Sequence, residues 1–222
     1  MGRKIVVTSG KGGVGKTTLT ASLGIAIAET GKKVVLVDAD IGLNNLDVVL
    51  AVENKVVYDV LDVISGKCRL KQALIQDVDN PTLYVLPSAK IQDSPLITAC
   101  SFRNVVDALA LNFDFVIIDC PAGIDNGFHR AVSAATEAIV VTTPHISAVR
   151  DADKVLSILS GYCLMSVGLV VNRVRGDMVS KGEMMSAGDI VRAVRCEPVG
   201  VIPEDDYITM YSQTGKVPFD KI

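Results

Sequence analysis

Gly10-Lys11-Gly12-Gly13-Val14-Gly15-Lys16-Thr17-Thr18 is the stretch that decides the fold, set between the apolar run Ile5, Val6, Val7 and an apolar-periodic segment opening at Leu19. Glycines at 10, 12, 13 and 15 cannot build a core element, but they let successive backbone N–H groups turn inward around an anion. The spacing Gly10, Gly15, Lys16, Thr17 fits G-x-x-x-x-G-K-[ST], the P-loop. In such a loop the amides of Gly12, Gly13, Val14 and Gly15, with those of the first helical residues through Thr18, cradle phosphates. Lys16 reaches the terminal phosphates, the Thr17 hydroxyl takes Mg²⁺, and the helix that follows offers its positive N-terminus.

Lys11 is a second cation on the same loop and would repel Lys16 unless a strongly anionic ligand lay between them, so the pair points to a triphosphate. Phosphoryl transfer also gains from a cation that meets charge developing on the transferred group. No arginine lies in the phosphate loop or in the acidic loops; Arg130 is the closest, and Lys11 is the natural substitute. The pattern KGGxGK[ST] over 11–17 resembles the deviant Walker A family. That resemblance implies that the first lysine crosses an ATP-dependent homodimer to touch the partner's phosphate.

At 222 residues, 49% of them hydrophobic, with a mean hydropathy of +0.39, the chain suits one α/β domain spanning 1–222, whose strands are buried on both faces. Apolar runs are broken every few positions by Asp, Asn or Lys, well short of the ~18 residues of a membrane span, and residues 1–7 lead directly into the first strand. A cytoplasmic location without a signal peptide is expected. A formal charge of −3, with scattered basic residues, argues against a nucleic-acid surface. Five cysteines, without a C-x-x-C pair, are expected to be mostly reduced core residues, and His129 and His145 are too few and isolated for a metal site.

The periodicity predicts strands at 4–8, 34–37, 83–86, 115–118, 138–142, 167–171 and 199–202, and helices at 16–29, 58–65, 70–75, 103–111, 126–135, 147–159 and 189–194. Leu19, Leu23 and Ile27 mark the expected buried stripe of the first helix, with Gly31 as its stop. This alternation implies a mainly parallel twisted sheet of about seven or eight strands with helices on both faces, the P-loop NTPase architecture. Several predicted strands end in polar residues that could converge beside the phosphate loop: Asp38 with Asp40, Asp119, and Asn172. Asp119 after Phe-Val-Ile-Ile is read as the acid that holds Mg²⁺, through water. Asp40 is read as the carboxylate that positions the attacking water, with Asp38 in support and Asp47 or Asp125 as substitutes. Gly123 could offer its N–H to the γ phosphate. The Asn172 amide suits adenine, and Pro203, Glu204 and Asp205 could cover the base.

Longer segments narrow the resemblance: DADIGLNNLDVVLAVENKVVYDVLDVISG from 38, DCPAGIDNGF from 119, VVTTPHISAVRDADKV from 140 and GVIPEDD from 200 are similar to the MinD family of septum-placing ATPases. The resemblance implies an ATPase that is weak unless stimulated, dimerises on ATP at the inner membrane surface, recruits a MinC-like division inhibitor and is released by a MinE-like partner. It carries Lys11, Lys16 and Asp40 as catalytic residues, Asn45 as a cross-dimer nucleotide contact, and the helix at 147–153, with Ser147, Arg150, Asp151 and Asp153, as the partner-binding surface. The sequence departs from the family twice. The family ends in a basic amphipathic helix that lies in the membrane interface, whereas here Val217, Pro218, Phe219, Asp220, Lys221 and Ile222 forbid one; peripheral membrane location would need that helix, and this chain is not expected to sediment with anionic liposomes. Ala51 stands where the family has glycine, with little consequence expected beyond a stiffer loop. Related readings are a flagellar-placement ATPase, a DNA-partitioning ATPase and, in another class, an iron-protein-like electron donor that would use Cys120.

Overall fold

The computed structural model describes residues 1–42, 45–89 and 95–208. In chain order these form β1 (Arg3–Thr8), α1 (Lys16–Glu29), β2 (Val34–Asp38), α2 (Leu46–Val49), α3 (Val60–Ile64), α4 (Leu70–Ala73), β3 (Ile75–Gln76), β4 (Leu83–Leu86) and α5 (Ala99–Ala110). Then follow β5 (Phe115–Asp119), α6 (Asn126–Ala134), β6 (Glu137–Thr142), α7 (Ile146–Leu159), β7 (Ser166–Val174), α8 (Gly176–Ser180), α9 (Ala187–Val194) and β8 (Pro198–Pro203). The expectations about the C-terminal tail, and Asn44 of the acidic loop, fall outside the described residues.

The strands form an eight-stranded sheet in the order β3-β4-β2-β5-β1-β6-β7-β8, every neighbouring pair parallel except β3 with β4. This is the mainly parallel P-loop NTPase sheet expected from the alternating pattern. Because side chains alternate across a strand, each apolar run feeds two cores. Val6, Val37 and Ile118 pack on one face with Phe102 of α5, Phe128 of α6 and Val155 of α7. Val7, Leu36 and Ile117 pack on the other with Ala21, Ile25 and Ala28 of α1. β1 lies between β5 and β6, so the phosphate loop that follows it leaves from the middle of the sheet.

The structure differs from the expected pattern in particulars with physical causes. The buried stripe of α1 is Thr20, Ala21, Gly24, Ile25 and Ala28, while Leu19, Leu23 and Ile27 flank it half-buried. Helix and sheet approach so closely that a Cβ at Gly24 would lie 2.6 Å from a methyl of Leu36, a spacing only small residues permit. α5 starts earlier than its apolar period, because Thr98 accepts the Ser101 N–H (3.1 Å) and Ser101 accepts that of Thr98 (2.9 Å), closing a cap. The helix expected at 70–75 stops at Ala73, and Ile75 instead pairs with Val85 as an antiparallel edge. β7 runs on to Val174, which puts Asn172 within the strand and not past its end.

Two further expectations change. Only Cys120 is buried; Cys100, in the first turn of α5, and Cys163 are exposed, and Cys68 and Cys196 are half-buried between elements. Ala51, just past the end of α2, has φ +52, left-handed backbone that glycine adopts at no steric cost. The consequence is strain as well as stiffness. Ala51→Gly is expected to raise stability by roughly 0.5–1 kcal/mol, net of glycine's greater chain entropy, read as a higher urea midpoint at unchanged m.

Candidate active site

The loop between β1 and α1 is fixed by close approaches that explain its glycines. A Cβ at Gly10 would sit 2.5 Å from the carbonyl oxygen of Asp151, so α7 packs directly against the start of the loop. A Cβ at Gly15 would lie 2.4 Å from Nδ2 of Asn172, and Gly15 itself is left-handed (φ 95), as is Gly13 (φ 77). Gly12 and Gly13 meet little around them: a Cβ on Gly12 would find only Ala122, at 3.9 Å, and one on Gly13 nothing within 4 Å. This is an open cradle in front of the N-terminus of α1, as a chain of phosphates requires.

The two lysines part company. Lys16, the first residue of α1, is 8% exposed and lies close enough to Asp40 and Asp119 to act on both carboxyls. Lys11 is exposed, and its Nζ donates to Ser147 Oγ at 3.2 Å, in the first turn of α7. Ser9, which the sequence reading passed over, organises this turn: its hydroxyl donates to the Lys11 carbonyl at 2.7 Å, and its carbonyl accepts the Gly123 N–H at 3.2 Å. The γ-phosphate donor expected at Gly123 is therefore engaged with Ser9, the residue after β1, in this state.

Strand register assembles the acids. Asp38 is the register partner of Asp119 across β2 and β5, and both share the parity of Leu36 and Ile117, so they face α1. Both are almost fully buried, at 1% and 2% exposure. Burial, then the neighbouring Asp119 charge, raises the Asp38 carboxyl to about 7; its oxygens accept the N–H groups of Asp40 (2.9 Å) and Leu46 (3.3 Å), which tie down the loop after β2. Burial also raises Asp119 to about 6, against hydrogen bonds from Thr17 and Thr20 and the Lys16 charge. Thr17 and Asp119, the two expected Mg²⁺ residues, thus meet. Asp40 is half-buried and raised by burial, with Lys16 opposing. Asp47 is buried at the start of α2, and Asn45 is exposed at its cap position. Asp125, the other substitute, is exposed at the start of α6. Buried carboxyls this perturbed, with one buried lysine beside them, suit a divalent cation held jointly with phosphate oxygens; among the described residues no cluster of three protein ligands would hold a metal unaided.

At the other end of the cradle, Asn172 Nδ2 donates to the Val14 carbonyl at 2.8 Å and Oδ1 accepts the Arg173 N–H at 3.0 Å. One amide hydrogen and one lone pair remain, the donor–acceptor pair an adenine edge needs. Pro203 is in register with Val174, and the Glu204 N–H donates to Val174 at 3.1 Å, bringing 203–205 alongside this strand end. Asp205 accepts the Tyr207 N–H at 2.7 Å. Cys120 follows Asp119 and so faces the opposite core, 1% exposed, its thiol pushed up to about 12 by burial. A cluster-binding thiolate is therefore not what this position offers. Arg130 lies half-buried on α6, its Nε buried without a hydrogen-bond partner, and its Nη2 comes within 3.6 Å of where a Cβ on Gly127 would sit.

A profile described as an AAA domain matches residues 2–161. The chain is 48% identical over 216 residues to a septum site-determining protein MinD of Guillardia theta, covering 97% of this chain and 80% of that one. It is 47% identical over 218 residues to MinD of Bacillus subtilis, covering 97% and 81%. Among solved structures, a MinC:MinD cell division complex of Aquifex aeolicus superposes with a TM-score of 0.88 at 42% identity, over 96% of this chain and 86% of that one. MinD of Pyrococcus horikoshii with Mg-ADP gives 0.86 at 34%, over 100% and 88%. Agreement of sequence at this level along nearly the whole chain, with the same sheet, fixes the family: this chain belongs to the septum site-determining MinD proteins.

Proposed function

We propose that the chain is a single ATPase domain acting as a switch: Mg–ATP joins two copies, hydrolysis separates them, and the ATP form places the division septum by recruiting a division inhibitor to the inner membrane surface. The observation that carries this reading is the separation of the two loop lysines. Lys16 is buried toward the carboxyls of its own site, while Lys11 stands exposed with a single weak tether to Ser147, free to reach another copy's phosphate. Asp40 positions the attacking water, Asp38 holds the loop that carries it, and Asn45 contacts nucleotide across the dimer. Gly12 through Thr18 receive the phosphates, Asn172 reads adenine, and 203–205 cover the base. Gly123 exchanges its bond with Ser9 for the γ phosphate, so that the loop from Asp119 distinguishes ATP from ADP.

The relatives described as a MinC:MinD complex and as MinD with Mg-ADP support the same partner and cofactor for this chain. α7 is the proposed docking helix for MinC-like and MinE-like proteins. Its exposed Ser147, Arg150 and Asp153, with half-buried Asp151, lie on a helix in contact with Gly10 and Lys11, so a change at the phosphates has a direct mechanical route to the partner surface. The test is size-exclusion chromatography of Asp40→Ala with ATP and with ADP. A dimer with ATP alone is expected; a monomer in both would leave Lys11 without its role.

A further inference from the structure

Arg130 is in the second turn of α6, and its side chain folds back toward the start of the helix. Its Nη2 lies 3.6 Å from where a Cβ on Gly127 would sit, a position that is also 2.8 Å from Cγ of Pro121. The guanidinium therefore stands at the root of the 119–125 loop, and the next loop residue, Ala122, comes within 3.9 Å of where a Cβ on Gly12 would be. Nothing in this state favours a cation there. Nε is buried without a hydrogen-bond partner, burial lowers the pKa of the group, and among the described residues no carboxylate pairs with it. The first turn of a helix also carries the positive end of its dipole, which repels a cation.

The side chain placed to answer it is two positions beyond Gly123. Asp125 has the extended backbone of an N-cap (φ −80, ψ −175), yet its side chain caps nothing. Its Oδ2 instead lies 3.9 Å from where a Cβ on Gly123 would be. A capping aspartate sets its carboxylate on the N–H groups of the second and third helical residues, here Gly127 and Phe128. On this helix that position is beside Arg130 Nη2.

We propose that Arg130 is a positioning residue for the nucleotide-sensing loop, acting through a latch with Asp125. When Gly123 leaves Ser9 for the γ phosphate, the Asp125 carboxylate turns onto the N-terminus of α6, caps Gly127 and Phe128, and pairs with the Arg130 guanidinium. The inference rests on the reading of Gly123 as the γ-phosphate donor. One movement then satisfies an open helix end and an unpaired, desolvated cation, and both contacts stabilise the ATP form alone.

The test is calorimetric binding of Mg–ADP and of Mg–adenylyl imidodiphosphate, an ATP analogue that is not hydrolysed. The proteins are the whole chain as wild type, Arg130→Gln, Asp125→Asn, which can still cap but carries no charge, and the double variant. For each single variant the analogue is expected to bind about 3- to 15-fold more weakly, with ADP within twofold of wild type. The double variant is expected to lose no more than either single one, and nucleotide-free Arg130→Gln to melt no lower than wild type. Analogue affinity of Arg130→Gln within twofold of wild type, an equal loss for ADP, additive losses in the double variant, or a lower nucleotide-free Tm would each overturn the inference. The amide resonance of Gly123 in the wild type separates the two readings. If it shifts between ADP and the analogue while the variants lose nothing, only the latch fails; if it does not shift, the reading of Gly123 fails with it.

Discussion

Lys11→Ala is expected to lower ATP turnover by about 10³-fold while leaving Tm within a degree of wild type. The size follows from what a mobile cation contributes when it meets charge developing on a transferred phosphoryl group, a contribution otherwise made by arginine and worth about 10³–10⁵. No arginine stands in the phosphate loop, and Arg130 is half-buried on α6, so the exposed ammonium of Lys11 is the mobile cation nearest that work. The unchanged Tm follows from its surroundings: an exposed side chain with one hydrogen bond to Ser147, at 3.2 Å, contributes little to the fold. Lys16→Ala would behave differently, because it leaves Asp40 and Asp119 without the buried cation beside them. Single-turnover hydrolysis together with thermal unfolding separates the two lysines. Turnover of Lys11→Ala within threefold of wild type would remove the dimer-crossing lysine from the mechanism.

The second large effect is on stability. The Asp38 carboxyl is raised by burial from an ordinary 3.8 to about 7, so the folded chain holds a proton there that the unfolded chain releases above about pH 4. Below pH 4 both forms are protonated and the site costs nothing. Stability then falls as pH rises from 4, and the full loss, roughly 4 kcal/mol at 1.36 kcal/mol per pKa unit, is reached above pH 7. Asp119, raised to about 6, acts in the same direction. Nucleotide-free protein is therefore expected to melt lower at pH 8 than at pH 5.5. Asp38→Asn removes the ionisation and keeps an acceptor for the Asp40 N–H, at the cost of the weaker bond from Leu46. A net gain of roughly 1–3 kcal/mol at pH 8 is expected, about 3–10 °C in Tm, with a flatter pH profile. A variant that melts below wild type at pH 8 would show that Asp38 stabilises the fold by its charge.

These effects arise at residues whose type was legible in the sequence but whose circumstances were not. The spacing from Gly10 to Thr17 announces a phosphate loop, and the runs ending in Asp38 and Asp119 announce buried strands with acids at their tips. That the two acids share one face, with raised pKa values, follows from strand order, which places β5 between β2 and β1. Alternation along β5 likewise sends Asp119 toward α1 and Cys120 into the opposite core. The stripe of α1 was misread because its apolar period points to Leu19, Leu23 and Ile27, whereas closeness to Leu36 selects the small residues between them.

The amino-acid sequence by itself determined the alternating α/β order, the phosphate loop and the identity of its cations, because glycine content, residue spacing and apolar periodicity are local properties of the chain. Tertiary structure alone decided that Lys11 stays exposed on Ser147 while Lys16 is buried, that Gly10 lies under Asp151, and that Asn172 braces Val14 from a strain-bearing bulge. Each of these contacts joins residues more than a hundred positions apart, and only the packing of α7 and β7 against the loop brings them within reach.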